Sequence, residues 1–227
     1  MKSPTPLACL AAFLLAACGH TNNLAKYNIS GKSAIYRTTM AADAASALTI
    51  IEPPNDNTAI GIATTIGSVI VGSEAQKKLE RALNPDSLAQ SVGLGMRQAT
   101  ADYLNIHAVN DWTENPDLII ETTLTDCRLF SSSIGLAIKV RGDSRVIERG
   151  TGRLIWENSE SHVVPLSQTY LAGLAPRPVA SGASIFNAIQ LLNLSSDEIR
   201  KVVNSAAVEA GREIGETLRE DVADLHK

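Results

Sequence analysis

The chain has 227 residues, 44% of them hydrophobic and only 4% aromatic, with a formal net charge of −4 at pH 7. That length suffices for one domain with a full core, which Ile, Leu, Val and Ala must build. The mild acidity gives no electrostatic reason to expect a nucleic-acid partner.

The first 17 residues carry one cation, Lys2, then an apolar run of 11 residues, Leu7–Ala17. A membrane span needs about 20 residues, so this run is too short to remain as a helix. A charged head, a short apolar middle and small residues before a cut describe a secretory signal. The run ends in Leu15-Ala16-Ala17-Cys18, which resembles the lipobox of bacterial lipoproteins. That resemblance implies cleavage before Cys18 and lipidation of its thiol, with three acyl chains (palmitate-type) as a permanent anchor. One chain alone would hold only marginally, at about 0.8 kcal/mol per buried methylene. Gly19, where an Asp would mark inner-membrane retention, implies the outer membrane. The body left after the cut carries 19 basic and 24 acidic residues, a formal charge of −5. With Cys9 removed and Cys18 lipidated, Cys127 has no partner for an internal disulfide.

The body then reads as a flexible tether, 18–32, and a single domain, 33–227. Gly19–Lys32 is polar, rich in Asn and Gly, and has no evident reason to order. Ser33–Thr39 is a candidate strand. Ala47–Glu52 is a stronger one, β-branched and stopped by Pro53-Pro54. Asn57–Ser73 has no charge and sets Ile60, Ile62, Ile66 and Ile70 among three glycines. It is read either as a contact with lipid or a neighbour, or as an element buried in its own domain. Glu74–Leu83 has good helix formers and charge pairs four apart. A second helix starts at Asn84-Pro85-Asp86-Ser87, with Asp86 or Ser87 as its cap, and puts Leu88, Val92, Met96, Ala99 and Tyr103 on one face. A short strand over 107–109 follows.

Three long runs come next, Asp117–Phe130, Ile134–Ile147 and Arg153–Val164. Short turns join them, and at the second turn Gly150 or Gly152 can take a positive φ. They predict an antiparallel meander. Pro165–Leu194 is long and carries only Arg177; Pro176 and Pro178 interrupt it, and Leu171 and Leu174 lie in its apolar part. Loops of this kind inside a domain are commonly functional or disordered. Ser195–Glu198 is a capping box. Behind it Ile199, Val202, Val203, Ala206, Ala210, Ile214, Leu218, Val222 and Leu225 repeat at three and four, the clearest helix of the chain. The predicted class is α+β, a two-layer arrangement of a mainly antiparallel meander sheet against helices, with a long C-terminal amphipathic helix.

The chemistry is sparse. The four histidines are far apart and no pair has ligand spacing, so no metal site is predicted. Gly93-Leu-Gly95 lacks a third glycine and follows no strand, so it does not form a dinucleotide loop. No nucleophile elbow or phosphate loop occurs. Cys127 falls inside a strand, where a buried, inert thiol is expected. Asn158, Glu160 and His162 share one strand face without an identifiable nucleophile. Trp156 reads as a core residue. No catalytic constellation and no cofactor are predicted.

Two stretches carry a second resemblance. Asn115-Pro-Asp-Leu-Ile-Ile-Glu-Thr resembles the strand entry of periplasmic lipoproteins related to the curli-secretion lipoprotein (CsgG-like), whose fold is similar to the TolB N-terminal domain. Val146-Ile-Glu-Arg-Gly-Thr-Gly-Arg-Leu-Ile-Trp-Glu resembles their Thr-Gly…Trp hairpin, also found in auxiliary lipoproteins of lipid-trafficking transporters. The resemblance implies a non-enzymatic accessory or assembly component of a secretion or transport system. It would be lipid-anchored through Cys18 in the outer membrane and face the periplasm. Its partners would be other envelope proteins or further copies of itself, and no nucleic acid. The expected contact residues are Ile60, Ile62, Ile66, Ile70, Leu171 and Leu174. The alternative is a periplasmic carrier for a lipid or another small apolar molecule.

Overall fold

Strand β5 (Leu118–Ser132) is the spine of a seven-stranded mixed sheet. On one side it pairs antiparallel with β6 (Gly135–Glu148), which pairs with β7 (Arg153–Pro165). On the other side it pairs in parallel with β2 (Ser33–Met40) and, beyond it, with β3 (Ile51–Glu52). The two-residue β1 (Thr21–Asn22) closes the β7 edge, and β4 (His107–Val109) closes the β2 edge. The order is β1-β7-β6-β5-β2-β4. This computed structural model describes residues 21–47, 51–52, 77–132, 135–166 and 193–225.

The expected meander is therefore present, as β5–β6–β7, and the α+β class holds. The parallel half was not specified by the meander pattern. Parallel neighbours need a crossover, and the chain from β2 to β4 contains α1 (Ala42–Ala47), α2 (77–82) and α3 (Pro85–Leu104). α1 corrects one prediction. Of the strand expected over Ala47–Glu52, Ile51–Glu52 is strand and Ala47 instead ends α1, whose alanine-rich segment prefers a helix; residues 48–50 lie outside the described residues.

Alternation separates the two sheet faces. Leu118, Ile120, Thr122 and Leu124 of β5, with Ile138, Val140 and Val146 of β6, are buried beneath the helices. Thr122 and Ser144 are the polar members of this row and satisfy each other at 3.1 Å. A bulge between Leu124 and Asp126 resets the alternation, so that Cys127 and Leu129 point inward.

Two helices form the second layer. α3 is capped by Asn84, whose Oδ1 accepts from the amides of Asp86 and Ser87 at 2.9 and 3.1 Å. The cap is thus two or three residues earlier than predicted. Pro85 occupies the first turn, where its missing N–H leaves no unmet bond. Asn105 ends the helix in the left-handed conformation, φ 53°. Tyr103, predicted inward, is 45% exposed, and the Arg219 guanidinium lies over its ring. α4 (Ser196–Asp224) begins with the predicted box: the Ser195 hydroxyl accepts from the Glu198 amide, and the Glu198 carboxylate accepts from Ser195 N. Its predicted stripe is buried from Ile199 to Leu218, whereas Leu225 is 40% exposed.

Gly95, Gly211 and Gly215 let α3 and α4 pack backbone to backbone. A Cβ on Gly95 would collide with the Val208 carbonyl, and one on Gly211 with the Val92 carbonyl. One on Gly215 would stand 2.6 Å from the Ala99 Cβ. The Gly93-Leu-Gly95 pair is therefore a packing device. Gly93 seats α3 on Thr38 of β2, and Gly95 admits α4.

The largest correction concerns the tether. From Thr21 onward it is part of the domain. Thr21 and Asn22 pair with Glu157 and Trp156, and Asn23 N donates to Ile155 O at 2.8 Å. Leu24 and Ile29 are 3% and 1% exposed. The polar composition of 19–32 concealed these two apolar side chains, and burying each contributes about 1.5–3 kcal/mol.

Candidate functional site

The described residue nearest in sequence to the predicted lipid site is Thr21, so the β1–β7 edge is the candidate site. β7 has three kinds of neighbour there. Its backbone is paired with β6 along its whole length and with β1 at residues 156–157. Its inward face carries Trp156, Asn158, Glu160 and His162 toward α4. Its outward face carries Glu157, Ser159, Ser161 and Val163, the last 54% exposed.

Inward, α4 is fastened to β7 by polar bonds. The Trp156 indole, 1% exposed, donates from Nε1 to Asp221 Oδ2 at 2.6 Å. Glu160 accepts from three side chains: Thr217 Oγ1 at 2.7 Å, Asn158 Nδ2 at 2.8 Å and His162 Nε2 at 3.0 Å. The structure thus brings together the three strand residues noted in the sequence and adds Thr217. The Thr217 hydroxyl donates to the Glu160 carboxylate and lies 3.3 Å from the Glu213 carbonyl; no bond joins it to His162. A hydroxyl held by a carboxylate that already accepts two other donors is arranged for a fixed contact, not for attack assisted by an imidazole base.

Outward, one row of charged side chains crosses four strands. Arg37 pairs with Glu121 at 3.4 Å and Arg145 with Glu157 at 2.7 Å, and the register sets all four side by side with Thr21 at the end. Cross-strand opposite charges stabilise such a face by a few tenths of a kcal/mol per pair. Beyond this row lies an open depression of ≈ 500 Å³ lined by Thr125, Asp126, Arg128, Lys139, Arg141, Asp143, Ser159, Glu160 and Ser161. Arg128 and Lys139 both contact Asp126, whereas the Glu160 carboxylate is engaged with Thr217 on the inward face. Cations already held by a carboxylate exert little pull on a free anion.

Cys127 is 0% exposed, and burial, with the Asp126 charge beside it, pushes its thiol up to about 12. It is the inert core cysteine predicted, since nucleophilic thiols need the thiolate. Among the described residues no group of three His, Cys, Asp or Glu side chains could hold a metal ion. The predicted lipid site Cys18 and the predicted contacts Ile60, Ile62, Ile66, Ile70, Leu171 and Leu174 lie outside the described residues. The ends of the second uncharged stretch are described, and Leu166 and Leu194 are both buried. Sequence reading missed the edge itself. The signal for it was the pair of large aliphatic residues, Leu24 and Ile29, in a mostly polar segment.

No family model and no curated protein matches the chain. Several solved structures are similar to it at low identity. Protein XCC0632 from Xanthomonas campestris is 11% identical with a TM-score of 0.43, over 88% of this chain and 90% of that one. The PelC dodecamer from Paraburkholderia phytofirmans is 9% identical with a TM-score of 0.31, over 77% and 92%. Lipoprotein GNA1162 from Neisseria meningitidis is 11% identical with a TM-score of 0.23, over 72% and 99%. Similarity of this size carries no argument about function.

Proposed function

We propose that the protein is a lipid-anchored envelope component, held in the outer membrane by Cys18 and facing the periplasm. It serves a secretion or transport system as a non-enzymatic accessory or assembly part. The observation that carries this reading is Leu15-Ala16-Ala17-Cys18, placed directly after an apolar run too short to span a bilayer. Two features support it. No described helix is long and apolar enough to cross a membrane, so a lipid on Cys18 would supply the attachment. The side chains gathered at the β1–β7 edge form fixed polar bonds between a strand and a helix, which suits a rigid attachment block. The carrier alternative has less behind it, because the open depression is polar and would not shelter an acyl chain.

Metabolic labelling with an acyl probe tests the reading. The wild-type chain should incorporate the probe and fractionate with outer membranes. Cys18→Ser should do neither, and continued membrane labelling of that variant would sink the lipoprotein assignment. Cross-linking in intact cells should join the protein to an envelope component. Material that stays monomeric and joins nothing would overturn the accessory role.

A further inference from the structure

We infer that the β1–β7 edge is the side of the domain held against the bilayer, and that the β4 edge points away from it. The inference rests on the proposed lipidation of Cys18 and adds an orientation to it. Only Gly19 and His20 separate Cys18 from Thr21. Three peptide steps of 3.8 Å reach at most about 11 Å. A free tether as far as Lys32 would have reached about 50 Å. The difference comes from the docking of residues 21–32, which is secured at several independent points. β1 pairs with β7, Asn23 donates to the Ile155 carbonyl at 2.8 Å, and Leu24 and Ile29 are buried. Gly31 N also donates to Leu104 O at 3.2 Å, which ties the far end of the segment to α3. Pulling the segment free would expose both apolar side chains, so an unloaded anchor does not lengthen it.

An acyl anchor seated in the membrane therefore keeps Thr21 about a headgroup layer away from it. The described β7 positions that follow Glu157 on the outward face are Ser159, Ser161 and Val163, all exposed. None carries a charge, so an approaching bilayer meets no ion at these positions. In the depression alongside, Arg128 and Lys139 are both held by Asp126. The anchor's length, not charge attraction, thus sets the contact, and it should survive high salt. β4 is five strand spacings from β1 in the sheet order, about 24 Å at about 4.8 Å each. In a body attached at one edge, the β4 side, including exposed Trp112 (44%), is then the farthest of the described strands from the anchor and the side that meets a periplasmic partner.

The lipidated protein is reconstituted in phosphatidylethanolamine–phosphatidylglycerol vesicles containing a lipid with a nitroxide on its headgroup. A fluorophore is attached at Ser161→Cys, at Ser159→Cys as a second edge position, or at Thr113→Cys beside β4. Buried Cys127 does not compete for the label. Quenching should be several-fold stronger at 159 and 161 than at 113, unchanged by salt, and lost when about 20 Gly/Ser residues, spanning roughly 25 Å, are inserted between His20 and Thr21. Equal quenching at the three positions, or quenching that persists after the insertion, overturns the orientation. An acyl-labelling control on the same samples separates the two ideas. Acylated protein without the gradient refutes the orientation alone, and protein that never acquires acyl chains refutes the anchor and the orientation together.

Discussion

The Trp156 indole of β7 donates to the Asp221 carboxylate of α4 at 2.6 Å, while the Trp156 backbone stands in register with Asn22 of β1. One residue thus joins the N-terminal strand, the sheet edge and the last turns of the C-terminal helix. Trp156→Phe keeps the ring in the core and removes the donor. It should lower unfolding stability by about 1–2 kcal/mol, read as a lower urea midpoint. An unchanged midpoint would mean that the bond contributes nothing beyond packing.

The docked N-terminal segment makes its own prediction. Leu24→Ala leaves a cavity in the core and should cost about 2–5 kcal/mol. If residues 19–32 were a free tether, the same substitution would be silent in thermal or chemical unfolding.

The helix pair depends on glycine. Gly95→Ala and Gly211→Ala each gain about 1 kcal/mol in helix propensity but push a methyl group into the facing backbone. Overpacking of that kind typically costs about 1–3 kcal/mol, occasionally more, so both should be net destabilising by circular-dichroism melts. Gly150→Ala, in a turn with nothing within 4 Å of the added methyl, is the matched control and should change little.

Asp117 and Glu198 are expected to contribute acid-sensitive stability. Asp117 is held below its ordinary value by the Ser33 backbone N–H, then by the Ser33 hydroxyl, and Glu198 is lowered by Ser195 in the same way. A lowered native value means that the unfolded chain binds protons first. The contribution is therefore complete above the ordinary carboxylate range, near pH 4, and is lost as pH falls through the lower native values. Asp117→Asn should be less stable at neutral pH and lose less stability on acidification. A variant that follows the wild-type acid curve would show that Asp117 is not part of this dependence.

Cys127 should resist alkylation. With its thiol near 12 and no exposed surface, native protein at pH 8 should take up maleimide only at the rate of unfolding. Rapid labelling without denaturant would contradict its burial.

Much of this architecture was legible in the order of residue types. The β5–β6–β7 meander follows from period-two alternation, and Gly152 takes φ 69° where a turn was expected. α4 follows from its three-and-four stripe and the Ser195/Glu198 box. The less legible parts are those where local pattern and packing disagree. Residues 42–47 sit beside a β-branched stretch yet form a helix. Residues 21–32 look like linker yet fill a place in the core. Gly93 and Gly95 look like part of a dinucleotide loop yet serve packing, Gly93 against Thr38 of β2 and Gly95 against α4.

The sequence alone determined the predicted address, through Cys18 and the apolar run before it, and the identity of the long elements, because hydrophobic periodicity and capping are local properties of the chain. Tertiary structure decided everything that depends on distant residues meeting. It made β2 a parallel neighbour of β5, turned Glu160 into the acceptor for Thr217, and put Thr21 on β7. The physical reason is that burial and pairing reward whichever surface the rest of the fold leaves open, and a 12-residue segment with two large aliphatic side chains cannot announce that surface in advance.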